Sequence, residues 1–343
     1  MSTLIALLAT KLWVLQLLVS PSLPDPNPAL QDKARGITLV ATKSPFKDNP
    51  IAPLQELGAD WVAVVPIGFS RQGQTQIRYD ISPWQWWGER PEGLRTTIEL
   101  AHNAGLKVML KPQIYIHGSW PGGIDFKRES DWKEWERSYL SWISQMTELA
   151  QETGVELFCI GTEVKISATT RPRFWRDLAD QVRGCYTGQL VYAANWDEYQ
   201  DITFWDKLDF IGVDAYFPLS DAPTPTVHEL VKAWSPIKKQ IKKVQSRYKK
   251  PVLFTEYGYL SVDQCAHRNW ELEKRVHSIP VNEQAQANAL EAVYISYWNE
   301  PWWGGSFLWK WFPGTEEHEG YPERDYTPQG KKAENVINKW FTR

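Results

Sequence analysis

The stretch Glu156-Leu-Phe-Cys-Ile-Gly-Thr-Glu163 is an apolar run that ends on a glutamate, and Pro251-Val-Leu-Phe-Thr-Glu256 repeats this arrangement later in the chain. Continuous apolar runs of this length are typical of strands that are buried on both faces of a parallel sheet. A carboxylate at the end of such a strand is costly unless it faces a polar cleft. The two segments therefore predict a barrel that brings two carboxylates together, as an acid and a nucleophile for glycoside hydrolysis would require.

Six further apolar runs resemble these two, and helical patterns lie between them. The eight predicted strands cover residues 36–41, 60–66, 106–113, 156–163, 190–196, 208–216, 251–256 and 305–311. Apolar spacing of three and four residues, with flanking Pro and Gly, predicts helices over 91–104, 132–153, 173–186, 227–248, 282–298 and 330–341. This alternation predicts a single-domain (β/α)8 TIM barrel. A doubly wound open sheet is the alternative, but no phosphate-binding glycine motif follows any strand.

The first 33 residues have a different character from the rest of the chain. Residues 4–19 are almost wholly apolar, and a proline-rich stretch follows over 20–28. This pattern predicts a targeting segment or N-terminal membrane anchor with a stiff linker, although Lys11 and Gln16 interrupt the apolar run. We therefore expect an exported protein, with a soluble leader and a cytoplasmic location as the alternative. The catalytic domain is predicted to cover residues 34–343.

The composition limits the classes of partner. The 343 residues include 38 Lys and Arg against 41 Asp and Glu, a net charge of −3, without a long run of like charge. This balance argues against nucleic-acid binding and against a polybasic membrane patch. The chain also has 20 Trp, 14 Tyr and 12 Phe, and flat aromatic rings are suited to stacking on sugars. The three Cys and six His lack the spacing of a metal site, so we expect no metal and no other cofactor.

Polar and aromatic residues collect at the carboxyl ends of the predicted strands, the end of a barrel that carries catalytic groups. Glu163 and Glu256 are the predicted catalytic residues. Substrate-binding residues are predicted at the strand ends and on the long loops after them: Lys111, Asn195, Trp196, Tyr216, Trp309, Trp84, Trp86, Trp87 and Trp120. The alternative for each aromatic residue is packing in the core. The alternative for Lys111 is a buried ion pair with Asp214 that only supports the barrel.

The chemistry requires two carboxylates in opposite protonation states. One must be ionised to attack the anomeric carbon, and the other must be protonated to assist the leaving oxygen, with the two ~5 to 5.5 Å apart. We expect Tyr216 and Lys111 to hold Glu256 ionised. A more apolar setting is expected to raise the pKa of Glu163.

Three motifs resemble glycoside hydrolase family 113: Gly161-Thr-Glu163, Thr255-Glu-Tyr-Gly258 and Phe307-Leu-Trp-Lys-Trp311. Segments 84–92 and 194–199 are similar to its bacterial relatives, and the resemblance extends over residues 35–341. It implies the (β/α)8 fold of the clan A retaining enzymes and β-mannanase activity. Transferred to this chain, it makes Glu163 the acid/base and Glu256 the nucleophile.

The chain departs from the clan A pattern at one position. Many clan A families have Asn directly before the acid/base, where this chain has Thr162. We therefore expect Asn195 to bind the sugar 2-hydroxyl instead. The overall prediction is a retaining β-glycosidase for β-1,4-mannan or manno-oligosaccharides. The alternatives are a glycosidase for another β-linked glycan, a non-catalytic carbohydrate-binding barrel, and an aldolase with Lys111 or Lys310 as its Schiff base.

Overall fold

The fold is an eight-stranded parallel barrel, described by a computed structural model over residues 33–80, 85–314 and 320–343. Its strands close in the order β1-β10-β9-β8-β7-β6-β4-β2. The strands are β1 Ala34–Leu39, β2 Trp61–Val64, β3 Ile67–Ser70, β4 Lys107–Leu110, β5 Gln113–Ile116, β6 Leu157–Thr162, β7 Gln189–Asn195, β8 Ile211–Asp214, β9 Val252–Tyr257 and β10 Trp303–Trp311. The predicted single-domain (β/α)8 TIM barrel is therefore confirmed. The predicted N-terminal segment and Trp84 lie outside the described residues.

Helices surround the barrel, and every helix predicted from the sequence is present. They are α1 Ala52–Glu56, α2 Pro91–Asn103, α3 Glu129–Thr153, α4 Lys165–Thr170, α5 Pro172–Cys185, α6 Val227–Tyr248, α7 Asn269–Leu272, α8 Glu283–Tyr297 and α9 Lys332–Phe341. Helix α3 ends at Gly154, whose φ of 71° is a left-handed conformation that glycine adopts without strain. In the described part of the chain, no helix is both long and apolar enough to span a membrane.

Prolines mark the ends of two barrel strands, and the second of these prolines lies inside a predicted strand. Strand β2 stops before Pro66 and strand β4 stops before Pro112, because proline has no amide hydrogen to donate to the ladder. The chain then forms β3 and β5, which pair in parallel as a separate two-stranded ribbon. The prediction of one strand over 106–113, followed by a loop, was wrong in this respect. The ribbon extends from the carboxyl end of the barrel, where the candidate site lies.

Much of the aromatic content packs between the strands and the helices. Trp135 and Trp142 of α3 are buried, and Trp135 stacks on Tyr139 with ring centroids 5.0 Å apart. Trp175 of α5 stacks on Phe204 at 5.8 Å and an interplanar angle of 10°. Each buried ring removes a large apolar area from water, so these residues stabilise the fold. Helical spacing correctly predicted this packing role for α3.

Candidate active site

The barrel brings the two strand-end glutamates to one cavity. Glu163 directly follows β6, and Glu256 is the penultimate residue of β9. Both line a cavity of about 160 Å³ at the carboxyl end of the barrel, and Gln113, Thr162 and Trp309 line it with them. Two carboxylates that share one cavity interact electrostatically, so their environments decide which one ionises.

Glu256 is surrounded by hydrogen-bond donors. Lys111 Nζ donates to its Oε1, Gln113 Nε2 donates to the same oxygen at 2.5 Å, and Tyr216 Oη donates to Oε2 at 2.9 Å. Donors to a carboxylate favour its charged form, and a buried ammonium does so most strongly. The contacts predicted from Lys111 and Tyr216 are therefore present, and Gln113 adds a third.

Lys111 also bonds to a second carboxylate. Its Nζ lies 3.3 Å from Asp214 Oδ2, and both side chains are fully buried. Burial alone would lower the pKa of Lys111, but Asp214 and Glu256 together raise it above its usual value. Burial raises the pKa of Asp214 to about 7, against the opposing effect of Lys111. Lys111 thus belongs both to a buried ion pair and to the environment of Glu256, and the two readings of this residue are compatible.

Glu163 has the opposite environment. Desolvation in the pocket raises its pKa well above the usual range, and the negative charges of Asp214 and Glu256 raise it further. Its one hydrogen-bond donor in the described structure is Trp120, whose Nε1 lies 2.8 Å from Oε2. Burial and like charge both disfavour an ionised carboxylate. Glu163 is therefore suited to carry a proton.

The backbone at Glu163 is held in an unusual conformation. Its φ is 53°, in the left-handed region that costs a residue with a side chain ~1–2 kcal/mol. Its amide donates to Ala193 O of β7 at 2.8 Å, and the amide of the next residue, Val164, donates to Tyr192 Oη at 3.0 Å. Tyr192 Oη in turn donates to Glu198 Oε1 at 2.9 Å. Neighbouring strand β7 therefore holds the segment that aims the Glu163 side chain.

The remaining predicted strand-end residues lie at the same end of the barrel. Asn195 Oδ1 accepts from the amide of Trp196 at 2.8 Å, and its Nδ2 makes no hydrogen bond within the described residues. The Thr162 hydroxyl donates to Pro112 O at 3.0 Å. Trp309 lines both the cavity that holds the two glutamates and a second cavity of about 250 Å³. The amide of Asn195 is thus available to a ligand, whereas the hydrogen of Thr162 is already donated.

The predicted loop tryptophans separate into different environments. Trp120 is 39% exposed beside Glu163, and Trp86 lines the second cavity with Trp309. Trp87 is only 8% exposed and packs edge-on against Phe46 at 5.3 Å. Because so little of its ring is accessible, Trp87 is a packing residue, the alternative that the sequence had left open.

Four residues that contact the site or its neighbouring loops were not among the predicted site residues: Gln113, Tyr192, Glu198 and Trp270. Gln113 is recognisable as the polar residue directly after Lys111-Pro112, at a strand end. Tyr192 and Glu198 have no comparable signal, because a tyrosine inside an apolar strand is typical of core packing. Trp270 lies in a short helix, α7, whose position depends on the fold.

Barrel glycosidases carry two such carboxylates at the carboxyl ends of their strands. This chain is a glycoside hydrolase. It belongs to Glycoside Hydrolase Family 113, which matches residues 42–331. The family resemblance found in the three motifs is thereby confirmed. Among curated protein sequences, none matches the chain.

Solved structures of the same family have the same fold. The GH113 β-mannanase from Alicyclobacillus acidocaldarius is 27% identical with a TM-score of 0.77, and the match covers 92% of this chain and 99% of that one. A complex of a GH113 β-1,4-mannanase is 25% identical with a TM-score of 0.75, over 91% and 99% of the two chains. A β-glucuronidase from Ruminococcus gnavus, 13% identical with a TM-score of 0.61, shares the fold over 90% of this chain and 50% of its own.

Proposed function

We propose that this glycoside hydrolase is a retaining β-glycosidase that cleaves β-1,4-linked mannan and manno-oligosaccharides by double displacement. The observation that carries the proposal is the contrast between the two carboxylates. Glu256 accepts hydrogen bonds from three side chains, including a buried ammonium, whereas burial and like charge raise the pKa of Glu163. The β-mannanase activity named for two structural relatives supports mannan as the substrate.

In the first step, a Glu256 oxygen attacks the anomeric carbon, and the bond from that carbon to the leaving oxygen breaks. The Glu163 carboxyl gives its proton to the leaving oxygen, so the aglycone departs as a neutral alcohol. In the second step, Glu163, now ionised, takes a proton from water. The water oxygen attacks the anomeric carbon, and Glu256 leaves as a carboxylate held by Lys111, Gln113 and Tyr216.

Two further residues support the reacting sugar in this proposal. Trp309 lines both cavities, so its ring is suited to pack under the sugar at the cleavage point. The unused Nδ2 of Asn195 is suited to the sugar 2-hydroxyl, because Thr162 already donates its hydroxyl hydrogen to the backbone. A hydrogen bond to that hydroxyl strengthens in the transition state of glycoside hydrolysis.

Product stereochemistry tests the mechanism directly. Two displacements at the anomeric carbon leave its configuration unchanged. NMR of the first product formed from a β-linked substrate should therefore show the β anomer before mutarotation. A 2-fluoro glycoside should label Glu256 covalently. An initial α anomer would refute the retaining mechanism and would imply carboxylates ~6.5 to 9.5 Å apart.

Substrate identity is tested with a panel of β-linked polysaccharides, in which released products are identified. We expect β-1,4-mannan and manno-oligosaccharides to be cleaved, and Glu256→Gln to abolish cleavage as the matched control. Cleavage of a glucan or xylan in place of mannan would assign the site to another β-linked glycan. Saturable binding without release of any product would instead support a carbohydrate-binding barrel.

A further inference from the structure

Two tryptophans form a stacked, partly exposed pair on the loops at the carboxyl end of the barrel. Trp196 directly follows β7, and Trp270 lies in α7, after β9. Their ring centroids are 5.7 Å apart and their planes differ by 14°. Trp270 remains 37% exposed, although exposing a large apolar ring to water is unfavourable. An exposed aromatic ring among the loops that carry function in a barrel is characteristic of a binding surface.

The pair is held in place by contacts on both sides. Trp196 packs edge-on against buried Phe217 at 5.9 Å. Asn269, next to Trp270, is buried, and its Nδ2 donates to Gly258 O at 3.2 Å, two residues beyond Glu256. The position of the ring therefore depends on the nucleophile strand itself. A ring that is fixed before a ligand arrives binds it at a lower entropic cost.

Trp196 links the stacked pair to the part of the site that holds Glu163. Strands β6 and β7 are neighbours in the barrel, and the Glu163 amide donates to Ala193 O of β7. The loops that follow these strands are joined by an ion pair of 2.6 Å between Lys165 and Asp197. A general acid must contact the oxygen of the leaving group. A substrate chain whose leaving oxygen contacts Glu163 can therefore continue along the loops after β6 and β7, where Trp196 lies.

We propose that Trp196 and Trp270 form the binding site for the sugar units on the leaving-group side of the cleaved bond. The proposal rests on the proposed function, because it takes Glu163 as the acid. Its ligand is the reducing-end portion of a β-1,4-linked chain, whose sugar faces stack on the outer face of Trp270. Asn195, whose amide is assigned to the 2-hydroxyl of the reacting sugar, directly precedes Trp196, so the pair adjoins the cleavage point.

The position of cleavage within a defined oligosaccharide tests this assignment. β-1,4-Linked mannopentaose is hydrolysed in ¹⁸O-labelled water, and mass spectrometry of the products gives the share of cuts at each bond. In Trp270→Ala, we expect the cuts that leave two or more sugars on the reducing-end side to become about threefold to tenfold rarer relative to the others. Trp270→Phe should show a smaller shift, because a smaller ring remains to stack.

Trp298→Ala is the matched control. Trp298 is also partly exposed and packs against Trp303 and Trp340, but it lies between α8 and β10, at the opposite end of the barrel. We expect its replacement to lower the melting temperature and to leave the cleavage pattern unchanged. If Trp270 only packed against its neighbours, Trp270→Ala would resemble Trp298→Ala, with a lower melting temperature and an unchanged cleavage pattern.

Two outcomes in Trp270→Ala would overturn the assignment, and two outcomes in the wild-type protein would overturn part or all of the function beneath it. An unchanged cleavage pattern in folded Trp270→Ala would exclude these rings as a sugar site. A slower reaction with the same pattern would mean that Trp270 supports the catalytic centre only. A wild-type protein that cleaves another β-linked glycan would refute mannan as the substrate but not the site, which is then tested with that glycan. Absence of any β-glycan cleavage would refute both proposals.

Discussion

Replacement of Tyr192 by Phe tests whether strand β7 holds the acid/base in its reactive position. The change removes one oxygen and leaves the ring. That oxygen accepts a hydrogen bond from the amide of Val164 and donates one to Glu198. Both partners are buried, so the substitution leaves two polar groups unpaired directly behind Glu163.

The expected loss of activity in Tyr192→Phe follows from two free energies that are nearly equal. A net hydrogen bond contributes ~0.5–1.5 kcal/mol. The left-handed backbone at Glu163 costs ~1–2 kcal/mol relative to an ordinary conformation. Loss of the bond to Val164 therefore removes much of what keeps this segment in place, and the correctly aimed state loses population. Since ~1.4 kcal/mol is a factor of ten, we expect catalysis that depends on Glu163 to fall about tenfold.

The measurement separates positioning from general damage by the choice of substrate. We expect kcat/KM for a manno-oligosaccharide, whose leaving oxygen needs a proton, to fall about tenfold in Tyr192→Phe. For an aryl glycoside whose leaving group needs no proton, the value should change by less than about twofold. Only a loss of proton donation produces this difference between the two substrates.

Tyr186→Phe provides the control at the opposite end of β6, away from Glu163. Tyr186 is also buried, and its Oη donates to Val155 O at 2.7 Å, just before β6 begins. This variant loses a hydrogen bond of the same kind, so its stability should fall, but both substrates should respond equally. Equal loss on the two substrates in Tyr192→Phe would refute the positioning role.

Three other predictions concern the acid/base, the aromatic floor and a buried carboxyl group. Glu163→Ala should retain slow cleavage of an activated aryl glycoside and lose cleavage of manno-oligosaccharides, and equal loss on both would contradict its assignment as the acid. Trp309→Ala should weaken transition-state binding by roughly 2 to 4 kcal/mol, measured from the fall in kcat/KM. A lower melting temperature with unchanged activity per folded molecule would instead identify the ring as part of the core. Burial raises the pKa of Glu198 to about 8. Between about pH 5 and 8, the folded state therefore binds more protons than the unfolded state, and the free energy of unfolding falls as the pH rises through that window. Urea denaturation at several pH values should show that Glu198→Gln reduces this fall by up to ~1.4 kcal/mol per pH unit, and an unchanged slope would mean that Glu198 does not titrate there.

The sequence by itself determined the architecture and the positions of the central carboxylates. Apolar runs that alternate with amphipathic helices have one common solution, since parallel strands must be covered on both faces. Any residue at the carboxyl end of such a strand must then lie at the mouth of the barrel. Glu163 and Glu256 were recognisable for this reason, as was Lys111. Pro112 shows the limit, because the predicted strand over 106–113 continued across this proline although the ladder did not.

Only the tertiary structure decided which atoms meet at that mouth. Lys111 contacts both Asp214 and Glu256, whereas the sequence alone left these two contacts as alternatives. Trp87 is buried and Trp270 is exposed, although their local sequences do not distinguish a packing ring from a binding ring. Burial and hydrogen bonding are properties of pairs of groups that are distant in the chain. Such pairs form only when the barrel closes, because periodicity determines the direction of a side chain but not its neighbour.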